Sequence, residues 1–158
     1  MTKWLLGTLG AVIAGIIVYW ATVGFPLLNQ THEPGIIKPE DGDRVTCRET
    51  VEGWYSEVEA NSDLWIVVQP VESPNYHPQP GPLPKNKNGK WQGIAQFGVS
   101  DKENIGEEFL VFIVQASSTV SQIFSNYIED SNQKKQWNGL PTLPNGAVPF
   151  DSVKLIRK

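Results

Sequence analysis

The sequence is almost without cysteine and histidine: Cys47 stands alone, and His32 and His77 are the two histidines. A single cysteine excludes an internal disulfide, so cysteine usage says nothing about the compartment. Cys47 reads as a small apolar residue in or beside a strand, because free cysteine is usually buried and inert. Two histidines and one cysteine in unrelated segments make a poor zinc site, which needs several such ligands. A G-x-S-x-G elbow and a Gly-rich phosphate cradle are also missing. Asp41-Gly42-Asp43 lacks the remaining ligands of a calcium loop and reads as a turn. No catalytic residue, metal or cofactor is therefore singled out, and the chain is expected not to be an enzyme.

Basic residues are scarce as well. Every acidic residue lies beyond residue 30, and Lys3 is the one basic residue before it. Setting Lys3 aside leaves 12 basic against 17 acidic residues, a net charge of −5. Phosphate binding needs a basic face, so nucleic acid is not an expected partner.

Charge of either sign is missing between Trp4 and Leu28, where the run reads WLLGTLGAVIAGIIVYWATVGFPLL. At about 1.5 Å per residue it exceeds the roughly 30 Å of a bilayer's hydrocarbon core. Lipid offers the backbone no hydrogen bonds, so such a run is expected to be helical. Trp4 at one end and Tyr19 and Trp20 at the other suit the two interfaces. Pro26 is expected to end the helix. A cleaved signal peptide is the competing reading. The run is longer than a signal's apolar region, and Ala21-Thr22-Val23 is a poor cleavage site. Lys3 and the α-amino group favour a cytoplasmic N-terminus. Gly7, Ala11 and Gly15 recur every four residues, a spacing that lets a second helix approach closely. Homo-oligomerisation or docking to a membrane complex would use that face; the plainer reading is that small residues are common in membrane helices.

Residues 1–28 are thus expected to be a transmembrane anchor, 29–35 a linker, and 36–158 one domain of adequate size for a core. Ile36-Ile37 is a short apolar strand stopped by Pro39, and Val45 and Val51 to Tyr55 carry the next. Leu64-Trp65-Ile66-Val67-Val68 is continuous and β-branched, as in a strand buried on both faces. From Pro70 to Gly89 the chain is rich in proline, which fixes φ and makes an extended, stiff loop. Lys90 to Phe97 is a strand with Trp91, Gly93, Ala95 and Phe97 on one face. Phe109 to Val114 is a second buried strand. The period then changes, and Val120, Ile123, Phe124, Tyr127 and Ile128 mark an amphipathic helix. Ser117 and Ser118 can cap its start, and Lys134 and Lys135 suit its end. Ser152 to Ile156 alternates as a last strand.

These elements predict a mainly β, two-sheet sandwich with one helix inserted before the last strand. The segment Ile37 to Val45, Val51-Glu52-Gly53, Asp63 to Pro70, Tyr76-His77-Pro78-Gln79, Gly89-Lys90-Trp91 and Leu140 to Gly146 together resemble bacterial immunoglobulin-like modules of an uncharacterised group, often joined to membrane spans. The resemblance covers roughly residues 36–158 and implies an immunoglobulin-like β-sandwich, with no activity or site residues to carry over.

Tyr76, His77 and Gln79 are the candidate binding residues, since they sit in a stiff loop and such loops commonly carry function. The structural alternative is that Tyr76 packs on Trp65 or Trp91 while the loop covers a sheet edge. The expected function is a non-enzymatic binding or accessory module, tethered to the membrane and facing a protein partner outside the cytoplasm. Two alternatives are a glycan-binding module using exposed tryptophans and a membrane effector or sensor acting through its helix.

Overall fold

The structure, a computed structural model, describes residues 33–55, 61–86 and 88–158. The hydrophobic run with Gly7, Ala11 and Gly15 lies outside the described residues. Among the described residues no helix is long and apolar enough to cross a membrane.

The two β-branched runs lie side by side. β4 (Ser62–Pro70) and β7 (Glu108–Ser117) pair antiparallel, with Ser62 opposite Ser117 and Pro70 opposite Phe109. On the other side of β7 lies β8 (Ala147–Arg157), also antiparallel. Two short strands complete this sheet: β2 (Arg44–Val45) runs parallel to the end of β8, and β5 (His77–Pro78) runs antiparallel to β4. The order is β2-β8-β7-β4-β5. β1 (Gly35–Lys38), β3 (Arg48–Trp54) and β6 (Lys90–Gln96) form a second, three-stranded sheet in the order β1-β3-β6. The domain is mainly β, and its two sheets with one described helix, α1 (Ser118–Lys134), are consistent with a β-sandwich.

β4 is buried on both faces because it separates two apolar layers. Leu64, Ile66 and Val68 face Val51, Trp91, Ala95 and Val111 between the sheets. Trp65 and Val67 face Val114, Ala116, Val120 and Phe124 beneath α1. A continuous hydrophobic run is what a strand covered on both sides requires. Ser117 caps α1, its hydroxyl accepting the Val120 N–H at 3.4 Å. Lys135 closes the helix in the left-handed region at φ 55°. Of the predicted stripe, Val120 and Phe124 are buried, Ile128 is half-buried and Ile123 is exposed. Ser121 and Ser131 are also buried on the helix.

Two features depart from the expectation, the start of β8 and the burial of Arg157, while the Asp41-Gly42-Asp43 turn is as expected and has a further role. β8 starts at Ala147 rather than Ser152; Pro149 and a register shift opposite Ile113 and Val114 break the alternation there. Asp41-Gly42-Asp43 is a turn, and it fastens that strand: Asp41 Oδ1 accepts the Lys154 N–H at 2.7 Å, and the Asp43 carbonyl accepts the Ile156 N–H at 2.9 Å. Arg157, one residue beyond the expected last strand, is buried. Its guanidinium donates to the carbonyls of Phe97 at 3.1 Å and Ser100 at 3.2 Å, and to that of Lys158.

Candidate functional site

The proline loop takes its position from β4. His77 and Pro78 lie opposite Val68 and Val67, the Gln79 N–H donates to the Ile66 carbonyl at 2.9 Å, and the Leu83 N–H donates to the Leu64 carbonyl at 2.8 Å. The loop therefore runs along the edge of the five-stranded sheet and satisfies its open carbonyls. Gly81 lies flat on the Trp65 ring, where an added Cβ would stand 3.0 Å from Cε3. Leu83 enters the core between the sheets over Gly93. The segment turns at residues 71–72, is paired as strand or bridge at 76–78 and bends at 80, and from His77 to Leu83 its backbone bonds along the edge of β4.

The three candidate binding residues have distinct places. Tyr76 pairs with Leu140 through two backbone hydrogen bonds of 2.8 and 2.7 Å; its ring stands 6.0 Å from that of Phe112 and packs against the buried cluster that contains Trp65, in line with the structural alternative. Gln79 is buried. Its amide nitrogen donates to the His77 carbonyl at 2.9 Å, and its amide oxygen accepts the Gln96 N–H at 2.9 Å, joining the edges of the two sheets. Both amide ends of Gln79 are thus used inside the domain.

His77 is half-buried and reaches α1, with Nδ1 3.2 Å from the Tyr127 hydroxyl. That hydroxyl also accepts the Gly139 N–H at 3.2 Å. Gly139 has φ +73°, and a Cβ there would stand 2.7 Å from the Asn75 Cβ and 3.0 Å from the His77 ring. Asn75 Nδ2 in turn donates to the Asn138 carbonyl at 2.9 Å. Loop, helix and the segment after the helix are thereby locked into one surface.

On that surface stands Trp137. It is 49% exposed, and its ring meets Tyr127 edge-on at 6.3 Å. Trp65 and Trp91 are fully buried and Trp54 is half-buried, so Trp137 is the most exposed of the described tryptophans. The cluster of His77, Tyr127, Gly139 and Trp137 is scattered in the sequence. Its one signal there is a tryptophan between the polar end of a helix and a turn-rich segment, a place where a core has no use for it. Pro80 and Gly81 of the same loop also form one wall of a shallow depression of about 400 Å³ against Ser125, Ile128, Glu129, Asn132 and Gln133 of α1.

Burial lowers the pKa of His77 below its ordinary 6.5 and raises that of Tyr127. Both are therefore uncharged at neutral pH. The contact is thus a hydrogen bond between two neutral groups, an imidazole and a phenol. Among the described residues, no group of three or more His, Cys, Asp or Glu side chains is placed to hold a metal ion.

A pH dependence follows. The unfolded chain binds a proton at His77 more readily than the folded one, so stability is full above pH 6.5 and falls as the pH drops through the lowered folded value. Chemical unfolding of the full chain in detergent is expected to show a lower midpoint at pH 5 than at pH 7.5. His77→Asn should flatten that difference; an unchanged pH slope in the variant would contradict the assignment.

Neither a family model nor a curated protein matches this chain.

Proposed function

We propose that this chain is a membrane-tethered, non-enzymatic binding or accessory module. In this reading residues 1–28 anchor it with the N-terminus in the cytoplasm, and an immunoglobulin-like sandwich of residues 36–158 meets a protein partner at the cell envelope. The contact surface is the one built from Asn75 to Gly81 and from Trp137 to Leu140. The observation that carries the reading is Trp137: a large ring half in water, on a segment held by hydrogen bonds from Asn75 and to Tyr127. Exposed aromatics on rigid segments are the side chains that anchor interfaces, since they bury much area and lose little freedom on binding. Small residues Gly7, Ala11 and Gly15 would offer a lateral contact between copies in the bilayer.

The test is co-purification from detergent-solubilised native membranes. Trp137→Ala removes a half-exposed ring and its edge-on contact with Tyr127 but no core layer, so it should cost about 1 kcal/mol and leave the domain folded. Loss of a hot-spot ring should lower partner recovery by tenfold or more, at roughly 2 kcal/mol or above. Equal recovery with the folded variant would remove the surface from the account. Tyr76→Ala is less informative, because Tyr76 packs on Phe112 and its loss would disturb the fold.

The same ring favours one second reading. A tryptophan face can stack on a sugar, and glycan binding at the envelope would use Trp137 with the amides of Asn75 and Asn138. Retention of the wild-type chain, but not of Trp137→Ala, on immobilised envelope polysaccharide would favour this class over a protein partner.

A further inference from the structure

The two sheets have four edges, and three of them are covered or blunted within the domain. The proline loop runs along β4. β8 carries Pro149 and a register shift, and Asp41 Oδ1 takes its Lys154 N–H. β1 gives its Ile36 N–H to Asp151 Oδ2 at 2.6 Å and is followed by Pro39. Prolines, bulges and covering segments keep an edge from pairing with another chain. β6 is different. Its sequence KWQGIAQ contains no proline, and its one charge, Lys90, is held by Glu52 at 3.0 Å.

The open backbone groups of β6 are few and evenly placed. Just beyond its ends, the Tyr55 N–H donates to the Gly89 carbonyl and the Phe97 N–H to the Cys47 carbonyl, so the odd-numbered residues bond toward β3. The even-numbered ones, Lys90 to Gln96, therefore turn their N–H and C=O groups away from it. At one end of this outer row Asn88 Oδ1 takes the Lys90 N–H at 3.2 Å, and at the other Gln79 Oε1 takes the Gln96 N–H at 2.9 Å. Between them, the outward N–H and C=O groups of Gln92 and Ile94 have no partner among the described residues. Gln92 is exposed and Ile94 is 49% exposed.

We infer that β6 pairs with β6 of a second copy of this chain, antiparallel about a twofold axis at Gly93. Residues directly opposite each other in an antiparallel pair exchange both of their hydrogen bonds. With Gly93 opposite its own copy, Gln92 stands opposite Ile94 of the second copy, and Ile94 opposite Gln92 of the second copy. Every open N–H and C=O of both residues is then used, and the ladder stops where Lys90 meets Gln96, whose N–H groups are already spent. Sliding the copies by two residues either way sets an open residue against a spent one. No like charges meet, because Lys90 faces an uncharged glutamine. The two Ile94 side chains become diagonal neighbours on the outer face and add an apolar contact. Such a contact is isologous and closed, so it makes a dimer and no fibre. The pairing uses neither Trp137 nor residues 1–28, and so stands or falls separately from the proposed function.

The test uses the full chain in detergent, as three samples: Gln92→Cys, Ile94→Cys, and an equal mixture of the two left to exchange. Both substitutions replace exposed side chains, so both variants should fold, and the wild type controls for buried Cys47. Opposed residues have Cα atoms about 5.5 Å apart, within a disulfide's reach, whereas diagonal ones at about 7–8 Å are beyond it. Mild oxidation is therefore expected to give several-fold more covalent dimer in the mixture than in either variant alone. Equal cross-linking in all three samples, or none in the mixture, would overturn the pairing. Ile94→Lys gives a second reading that needs no cysteine, because it sets like charges diagonally across the contact. Sedimentation in the same detergent is expected to show its dimer fraction reduced several-fold from the wild type; an unchanged fraction would likewise overturn the pairing.

Discussion

Gly53→Ala is expected to lower stability by about 3 kcal/mol or more, at the upper end of what overpacking does. Gly53 lies in β3, the middle strand of the three-stranded sheet, between Ile36 of β1 and Trp91 of β6. A Cβ on it would stand 2.0 Å from the Gly35 carbonyl oxygen and 2.4 Å from Trp91 Cζ2. The first neighbour is backbone. The second belongs to a ring that is fully buried and has no room to swing. Conformation is not the cause, because Gly53 is not in the left-handed region. Gly42 provides the opposite case: its φ is +85°, and nothing lies within 4 Å of an added Cβ. Gly42→Ala should therefore cost only about 1 kcal/mol, from backbone strain alone. Unfolding in urea, followed by far-ultraviolet circular dichroism of the full chain in detergent, separates the two. Similar midpoints for both variants would contradict the packing account.

Trp65→Ala is expected to cost about 3–5 kcal/mol, the range for emptying a large aromatic site. Its ring is fully buried under α1, meets Phe124 edge-on at 5.4 Å, and donates its indole N–H to the Ser121 hydroxyl at 3.0 Å. Ser121 passes the bond on to Asp63 Oδ2 at 2.7 Å. The same ring is the floor under Gly81. Removing it should therefore loosen two things together, the seat of the helix and the seat of the proline loop. Hydrogen exchange is expected to speed up at the Gln79 and Leu83 amides, which are bonded to β4, as well as in α1. Exchange faster in α1 alone would mean that the loop is held independently of Trp65. Ser121→Ala removes the hydrogen bond and leaves the ring, so about 1–2 kcal/mol is expected from it.

How much of this was legible depends on whether a residue's role is local. Leu64 to Val68 announced a strand covered on both faces, and it is covered by the second sheet on one side and by α1 on the other. The switch of period after Ser117 marked the helix. Trp91, Ala95 and Phe97 share the buried face that their alternation implied. Non-local pairings were hidden. Nothing near Arg44 tells that it adds to β8 in parallel, and nothing near Arg157 tells that Phe97 and Ser100 supply carbonyls to bury its charge. In the proline loop, the insertion of Leu83 depends on Gly93, a strand away, lacking a side chain. Gln79 looked like a loop amide and is a buried link between sheets. The surface around Trp137 escaped as a unit because its parts come from the loop, the helix and the segment beyond it.

The proposed function requires a tethered domain that presents Trp137 to a partner. A photo-crosslinking amino acid placed at Trp137, and in a second protein at Ile94, tests it in native membranes after an alkaline wash. The expected result is that the chain stays with the membranes and that position 137 yields a discrete adduct absent from position 94. A chain that washes off, or the same adduct pattern at both positions, would contradict the claim.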